Sequence, residues 1–311
     1  MNLRNWKGNI ALVVIWFTLV LAGCGAPQST PATIPHSHLA DWMAPVPGTK
    51  KITELSIPGT HDAGALHEHF PNTAKCQDLT ISDQLLAGVR FLDIRCRHVH
   101  DQFQIYHGSV NQEISFADVV SDCLAFMKLH PGECIIMSVK EEYTPEGNTR
   151  KFEQTFDTYT AQHPGQWFLA DAFPNLNEVR GKIILFRRFA AEGLPKGIAA
   201  SDWPDNTTFW IGQRLRVQDD YVVKDKASKW AAIQAQYQEA ITGSPDVLYV
   251  NFGSGYEPGW MGIPNLRTVA DFINPQLTAY WEHARPERLG ITLMDFADAQ
   301  KCSLLIGTNP P

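Results

Sequence analysis

Beyond about residue 50, short runs of aliphatic and β-branched residues alternate with stretches whose apolar positions recur every three or four residues. Residues 89–95, 103–107, 134–140, 182–187, 247–252 and 289–296 read as strands. Residues 52–57 read as another, and 207–211 as a weaker one. The unbroken run Ile183-Ile184-Leu185-Phe186 suits a strand covered on both faces, as in parallel sheets. Between the strands, Phe116, Val119, Val120, Cys123, Leu124, Phe126 and Met127 follow a helical period, and Pro131-Gly132 stops that helix. Residues 224–242 place Trp230, Ile233, Tyr237 and Ile241 on one stripe. A third helix is predicted over 264–284, interrupted at Pro275. The alternation reaches the C-terminus without a linker-like break. It predicts an α/β fold over residues 41–311: a single TIM-type (β/α) barrel, irregular or incompletely closed.

The first residues follow another pattern. Arg4 and Lys7 precede an apolar run from Ile10 to Leu21, broken only by Thr18. Residues 1–23 therefore read as an export signal, too short for a comfortable membrane span. Leu21-Ala22-Gly23-Cys24 is similar to a bacterial lipobox, in which the cysteine is lipidated and becomes the new first residue. Residues 24–40 are rich in Pro, Ser and Thr and read as a tether. The expectation is an exported protein, anchored in the cell envelope through Cys24 or secreted.

The 311 residues are 44% hydrophobic and 19% charged, which excludes a disordered chain. A net charge of −7 argues against a nucleic-acid partner and against membrane attachment through a polybasic patch. Phosphate-loop and dinucleotide glycine patterns are absent, and so is CxxC spacing. Export exposes Cys76, Cys96, Cys123, Cys134 and Cys302 to oxidation, which favours one or two disulfides. Spacing leaves the pairing open, and the odd number leaves at least one thiol free.

Three segments carry the candidate chemistry. After the strand at 52–57, Pro58-Gly59 is expected to turn, and His61-Asp62 follows at the lip of a barrel. In Gly88 to Arg95, Asp93 and Arg95 stand two apart on a strand and so share a face. An inward carboxylate and guanidinium are costly unless paired or used. His107 ends a further strand and is followed by Gly108. His61 and His107 could meet across the barrel mouth. In-line displacement at a phosphodiester needs a base for the attacking hydroxyl and an acid for the leaving oxygen, and two histidines can supply both near neutral pH. A guanidinium can hold the phosphoryl oxygens.

These residues lie in motifs that resemble, in order, those of the bacterial phosphatidylinositol-specific phospholipase C X-domain family. The motifs are IPGTHDAG (57–64), DQLLAGVRFLDIRCR (83–97), IYHGSV (105–110), HPGECIIMSVKEEY (130–143), RGKIILFRRF (180–189), VQDDY (217–221), LYVNF (248–252) and GITLMDF (290–296). The resemblance implies a phosphorus–oxygen lyase that releases diacylglycerol and inositol 1,2-cyclic phosphate. His61 would be the general base, oriented by Asp295, and His107 the general acid, supported by Asp62. Arg95 would bind the phosphate, with Asp93 beside it. Lys140, Glu142, Arg188, Asp219 and Tyr221 would form the inositol pocket, with Tyr221 stacked under the ring. The implied partner is phosphatidylinositol, free or glycosylated, met in a membrane by a monomer.

In eukaryotic relatives an acidic calcium ligand corresponds to Arg95. A guanidinium there repels a cation, so catalysis without metal or any other cofactor is expected. The family's interfacial segment carries a Trp in well-known members. Here Leu66 to Thr80 offers Phe70 and Cys76 but no Trp, so Tyr256, Trp260 and Met261 are the alternative bilayer contacts. Two rival readings are a metal-dependent glycerophosphodiester phosphodiesterase-like hydrolase and a non-catalytic inositol-lipid-binding barrel.

Overall fold

A computed structural model describes residues 36–285 and 287–310. The expected signal and the Cys24 anchor lie outside the described residues. The strands are β1 (Ile57–Thr60), β2 (Phe91–Val99), β3 (Gln102–His107), β4 (Val110–Ser115), β5 (Ile135–Glu141), β6 (Trp167–Phe168) and β7 (Ile183–Arg188), then β8 (Ile198–Ala199), β9 (Thr207–Ile211), β10 (Leu215–Asp219), β11 (Leu248–Phe252), β12 (Glu257–Pro258), β13 (Pro264–Asn265) and β14 (Ile291–Met294). The helices are α1 (Ile81–Leu86), α2 (Phe116–Leu129), α3 (Phe152–Gln162), α4 (Leu176–Val179), α5 (Lys226–Thr242), α6 (Arg267–His283) and α7 (Ala299–Gly307).

One curled sheet runs β6-β7-β5-β2-β1-β14-β11-β10-β9, and β8 also pairs with β7. Its strands are parallel except at β9, which runs antiparallel to β10, and in the β2-β3-β4 excursion. The strands at its two ends, β6 and β9, are not paired with each other among the described residues, so the barrel is incompletely closed. Strands β5, β7, β11 and β14 are buried on both faces over most of their length, as their mainly apolar sequences suit, and Ser138, Asn251 and Thr292 are buried with them. Helix α5 covers β10 and β11, and α7 packs against β1.

Several sequence expectations need correction. Residues 52–54 form a 3-10 turn rather than a strand, and β1 starts at Ile57. Pro58 and Gly59 do not turn but belong to β1, so the chain leaves the sheet only after Thr60. A Cβ at Gly59 would come within 3.1 Å of Phe91 Cβ and 3.2 Å of Leu293 Cγ, so glycine permits this close strand packing. Proline gives the strand no N–H at residue 58, and nearby the Trp42 indole donates to the Gly88 carbonyl, at 2.9 Å. Helix α6 runs through Pro275 without a break. The expected tether is already folded at its end: Leu39 is fully buried, and its carbonyl and that of Ala40 accept from Arg90. All five cysteines among the described residues are free and buried, with no disulfide. Cys96, Cys123, Cys134 and Cys302 lie within the main hydrophobic core, which accommodates thiols without a crosslink, whereas Cys76 lies 3.8 Å from His107 Nδ1.

Candidate active site

The strand register places the charged residues side by side. Arg95, Lys140 and Arg188 are adjacent partners across β2, β5 and β7. Three cations at one level would repel, and carboxylates offset them. Asp93, two residues below Arg95 on the same face, accepts from Arg95 Nε and NH2 at 3.1 and 3.0 Å through Oδ2. Its Oδ1 accepts from Ser138 Oγ at 3.2 Å and from Arg188 NH1 at 3.4 Å. Burial alone would raise the Asp93 pKa, but Arg95 and then Arg188 outweigh it and hold the carboxyl well below its usual range. Lys140 Nζ donates to Glu142 Oε2 at 2.8 Å, and the Gly108 N–H donates to Glu142 Oε1 at 3.1 Å.

The two histidines are fixed by unlike groups. His61 follows β1, and its Nδ1 lies 2.8 Å from Asp295 Oδ1, just past β14. His107 ends β3, and its Nδ1 lies 2.6 Å from the Ala74 carbonyl. A carbonyl only accepts, so His107 Nδ1 carries a proton; beside the Asp295 carboxylate, the same assignment holds for His61. Both tautomers follow from these partners and leave Nε2 without a hydrogen in the neutral form of each ring. The ring centroids are 6.4 Å apart and edge-on. Burial by itself would lower the His61 pKa, but the Asp295 charge raises it above the ordinary value, against Arg95.

Asp62 is fully buried beside this pair. Its Oδ2 lies 3.4 Å from Arg95 NH1 and 3.7 Å from His107 Nε2, the second beyond hydrogen-bond reach. Burial raises its pKa, and Arg95 offsets this only in part.

Of the eleven expected site residues other than Cys24, eight thus lie at the C-terminal ends of barrel strands or just beyond them, Asp93 and Arg95 lie within β2, and His107 ends the antiparallel β3. His61, Arg95, His107, Lys140, Glu142, Arg188, Asp219 and Tyr221 line one cavity of about 580 Å³, while Asp62, Asp93 and Asp295 are packed around its wall. Sequence reasoning missed Trp203, Asp205 and Gln77. The Trp203 ring lies 3.7 Å from the Arg188 guanidinium, and its indole N–H donates to Asp219 Oδ2 at 2.9 Å. Asp205 accepts from the Tyr221 hydroxyl at 2.5 Å, and this contact, with burial, pushes the Tyr221 pKa up to about 12. Both come from the irregular segment between β8 and β9, where no periodicity announces them. Gln77 donates to the His61 and Met294 carbonyls, each at 2.8 Å, and ties the turn carrying His61 to the end of β14. A glutamine in a loop gives no such signal.

The phosphatidylinositol-specific phospholipase C X-domain model matches residues 53–189. The chain is 32% identical over 277 residues to a 1-phosphatidylinositol phosphodiesterase of Staphylococcus aureus, covering 83% of this chain and 88% of the relative. To the protein of that name from Listeria monocytogenes it is 26% identical over 283 residues, covering 86% and 84%. A solved Staphylococcus aureus phosphatidylinositol-specific phospholipase C superposes with a TM-score of 0.81 at 29% identity, covering 89% of this chain and 100% of that one. This chain belongs to the phosphatidylinositol-specific phospholipase C X-domain family.

Proposed function

We propose that this protein is a phosphatidylinositol-specific phospholipase C that cleaves its substrate by internal transfer. The observation that carries the mechanism is the pair of histidines, 6.4 Å apart between ring centroids, each with Nδ1 held by an acceptor, lining one cavity with Arg95. His61 Nε2 takes the proton of the inositol 2-hydroxyl. The alkoxide attacks phosphorus, and the bond to the diacylglycerol oxygen breaks. His107, doubly protonated, gives its Nε2 proton to that oxygen. The products are diacylglycerol and inositol 1,2-cyclic phosphate. A water can later reverse the two roles and open the ring to inositol 1-phosphate.

Arg95 bears on the developing charge. Its guanidinium, already oriented by Asp93 and Asp62, needs no reorganisation as the phosphoryl oxygens gain charge. Lys140, Glu142, Arg188 and Asp219 offer charged donors and acceptors suited to a polyol. Trp203 steadies two of these, and Asp205 holds Tyr221. A guanidinium at the phosphate supports chemistry without a divalent cation.

The loops at the mouth support work on a membrane, where the protein would act as a monomer. Phe70, Met261 and Ile263 are exposed apolar side chains on two loops tied together by a hydrogen bond from the Leu266 N–H to the Asn72 carbonyl, at 3.0 Å. Tyr256 is part-buried at the cavity edge, and the Trp260 side chain lies outside the described residues. No helix among the described residues is long and apolar enough to cross a membrane. Lipidation at Cys24, after cleavage of residues 1–23, would keep the domain beside its lipid substrate, free or glycosylated; secretion is the alternative for an exported chain.

Phosphatidylinositol methylated at the 2-hydroxyl tests the mechanism, because it lacks the nucleophile. It should resist cleavage, while the unmodified lipid yields the cyclic phosphate at an undiminished rate in EDTA. Cleavage of the methylated lipid at a normal rate would overturn the proposal.

A further inference from the structure

Between the two histidines sits a thiol that the proposed reaction does not use. Cys76 is fully buried, with Sγ 3.8 Å from His107 Nδ1. One donor atom each from His61, Cys76 and Asp295 lies within 4.8 Å of the other two, and the same holds for Asp62, Cys76 and His107. Beside the thiol, Asp295 Oδ2 and both Asp62 carboxylate oxygens are buried without a hydrogen-bond partner. Buried carboxylate oxygens without donors are uncommon, and a cation would satisfy them.

We propose that His61, Cys76 and Asp295 form an inhibitory site for a soft divalent cation of the zinc class. The binding claim stands on these three residues alone. Its effect on turnover rests on the acid–base role proposed above for His61.

Zinc takes nitrogen, sulfur and carboxylate oxygen at about 2.0–2.3 Å in a tetrahedron, so its donors sit roughly 3.5 Å apart. Here His61 Nδ1 and Asp295 Oδ1 are 2.8 Å apart, and one donor atom of each of the three residues lies within 4.8 Å of the other two, so small side-chain adjustments bring them to that spacing. Three protein ligands leave the fourth position for water. A thiolate and a carboxylate balance the two positive charges, with histidine neutral. The second set is less suited, because Arg95 NH1 stands 3.4 Å from Asp62 Oδ2 and competes for that oxygen. Calcium and magnesium seek six or more oxygens, which this pocket lacks.

On binding, the Cys76 S–H bond is replaced by a sulfur–metal bond, and the proton leaves to solvent. The ion also replaces the proton that His61 Nδ1 shares with Asp295. That ring proton moves to Nε2, so the nitrogen that should accept the inositol proton no longer has a free lone pair. No electron is transferred, and removal of the ion restores the site.

The test uses the purified full chain. Cobalt(II) should give one near-ultraviolet thiolate-to-cobalt charge-transfer band per chain, and zinc should displace it. Zinc should inhibit phosphatidylinositol cleavage and EDTA should reverse this, whereas calcium and magnesium should do neither. Cys76→Ser should abolish the band and raise the zinc needed for half-inhibition about tenfold or more, since even an outer partner of a metal ligand is worth about 10–100-fold in affinity. Asp62→Asn should keep the band, and Asp295→Asn should weaken it. No band in the wild type, or unchanged zinc sensitivity in Cys76→Ser, would overturn the site. Loss of the band in Asp62→Asn but not in Asp295→Asn would overturn the assignment of its ligands. A band that forms in the wild type and vanishes in Cys76→Ser, in a chain that cleaves no phosphatidylinositol, would leave the metal site standing and bring down the catalytic reading instead.

Discussion

At the scale of single residues, the site works by setting charges against burial. His61 shows the balance. Burial and Arg95 both favour its neutral form, and the Asp295 carboxylate overrides them. In the general-base role proposed for it, His61 must be neutral, so activity should fall as pH drops through its raised pKa. Replacing Asp295 by Asn removes the larger raising charge and leaves the two lowering effects opposed only by the weaker one of Asp62. The acidic limb of the kcat/KM profile should therefore move to lower pH, with turnover at the optimum down by about 10²–10⁴-fold. An unmoved limb, measured over a full pH profile, would show that Asp295 does not tune this base. Arg95→Lys tests the guanidinium in the same way. A lysine keeps one charge but cannot retain the fork that meets Asp93 and Asp62. The expected loss in kcat is about 10²–10³-fold, with a smaller change in KM, because the contact strengthens as charge develops. A change in KM alone, seen in steady-state kinetics, would make Arg95 a ground-state binding group.

At the scale of elements, the end of the barrel opposite the site is held by one buried ion pair. Arg90, just before β2, donates to Glu133 Oε2 at 2.8 Å, and both side chains are inaccessible to solvent. The remaining Arg90 N–H groups reach the Leu85, Val89, Leu39 and Ala40 carbonyls. Glu133 accepts the Met43 and Ala44 N–H groups as well. The pair thereby fastens residues 39–44 under β2 and β5. Glu133→Ala strands a buried guanidinium and should cost about 3–5 kcal/mol in chemical denaturation. It stands far from the substrate, so the folded fraction should keep the wild-type KM. A loss below 1 kcal/mol would mean that water replaces the carboxylate.

At the scale of the whole molecule, the domain holds together without covalent crosslinks. Burial raises the pKa of each of the five thiols, so they are neutral and shielded at physiological pH. The thermal midpoint should be the same with and without a reducing agent. The native protein should also react with a thiol reagent only as fast as it opens. A midpoint that falls on reduction would require a disulfide absent from this structure. The open edge between the β6–β8 side and β9 is compatible with this stability, because the core is closed by helices on the outside of the sheet and by Trp203 and Phe209 packed together near the gap.

The sequence by itself determined the parallel α/β core, because strands covered on both faces are mainly apolar: 183–186 is apolar throughout, and 248–252 is interrupted only by Asn251. It also exposed His61, His107 and the Asp93/Arg95 pair, because ionisable residues at the ends of apolar strands conflict with burial and stand out from the pattern. Asp295, Asp219 and Arg188 were legible through motif order, not through any local signal. Strand β10 escaped the pattern, since Arg216 and Gln218 interrupt it and find their partners only in the fold, Arg216 on Glu239 and Gln218 on Asn251 and the Phe252 carbonyl. Tertiary structure alone decided that Pro58-Gly59 remain in a strand, that Leu39 belongs to the core, and that Trp203 braces Arg188 and Asp219. It alone placed the Ala74 carbonyl against His107, and Cys76 between the histidines. A backbone carbonyl has no residue type to read, and the chemistry of a thiol depends on neighbours that the chain brings near only when it folds.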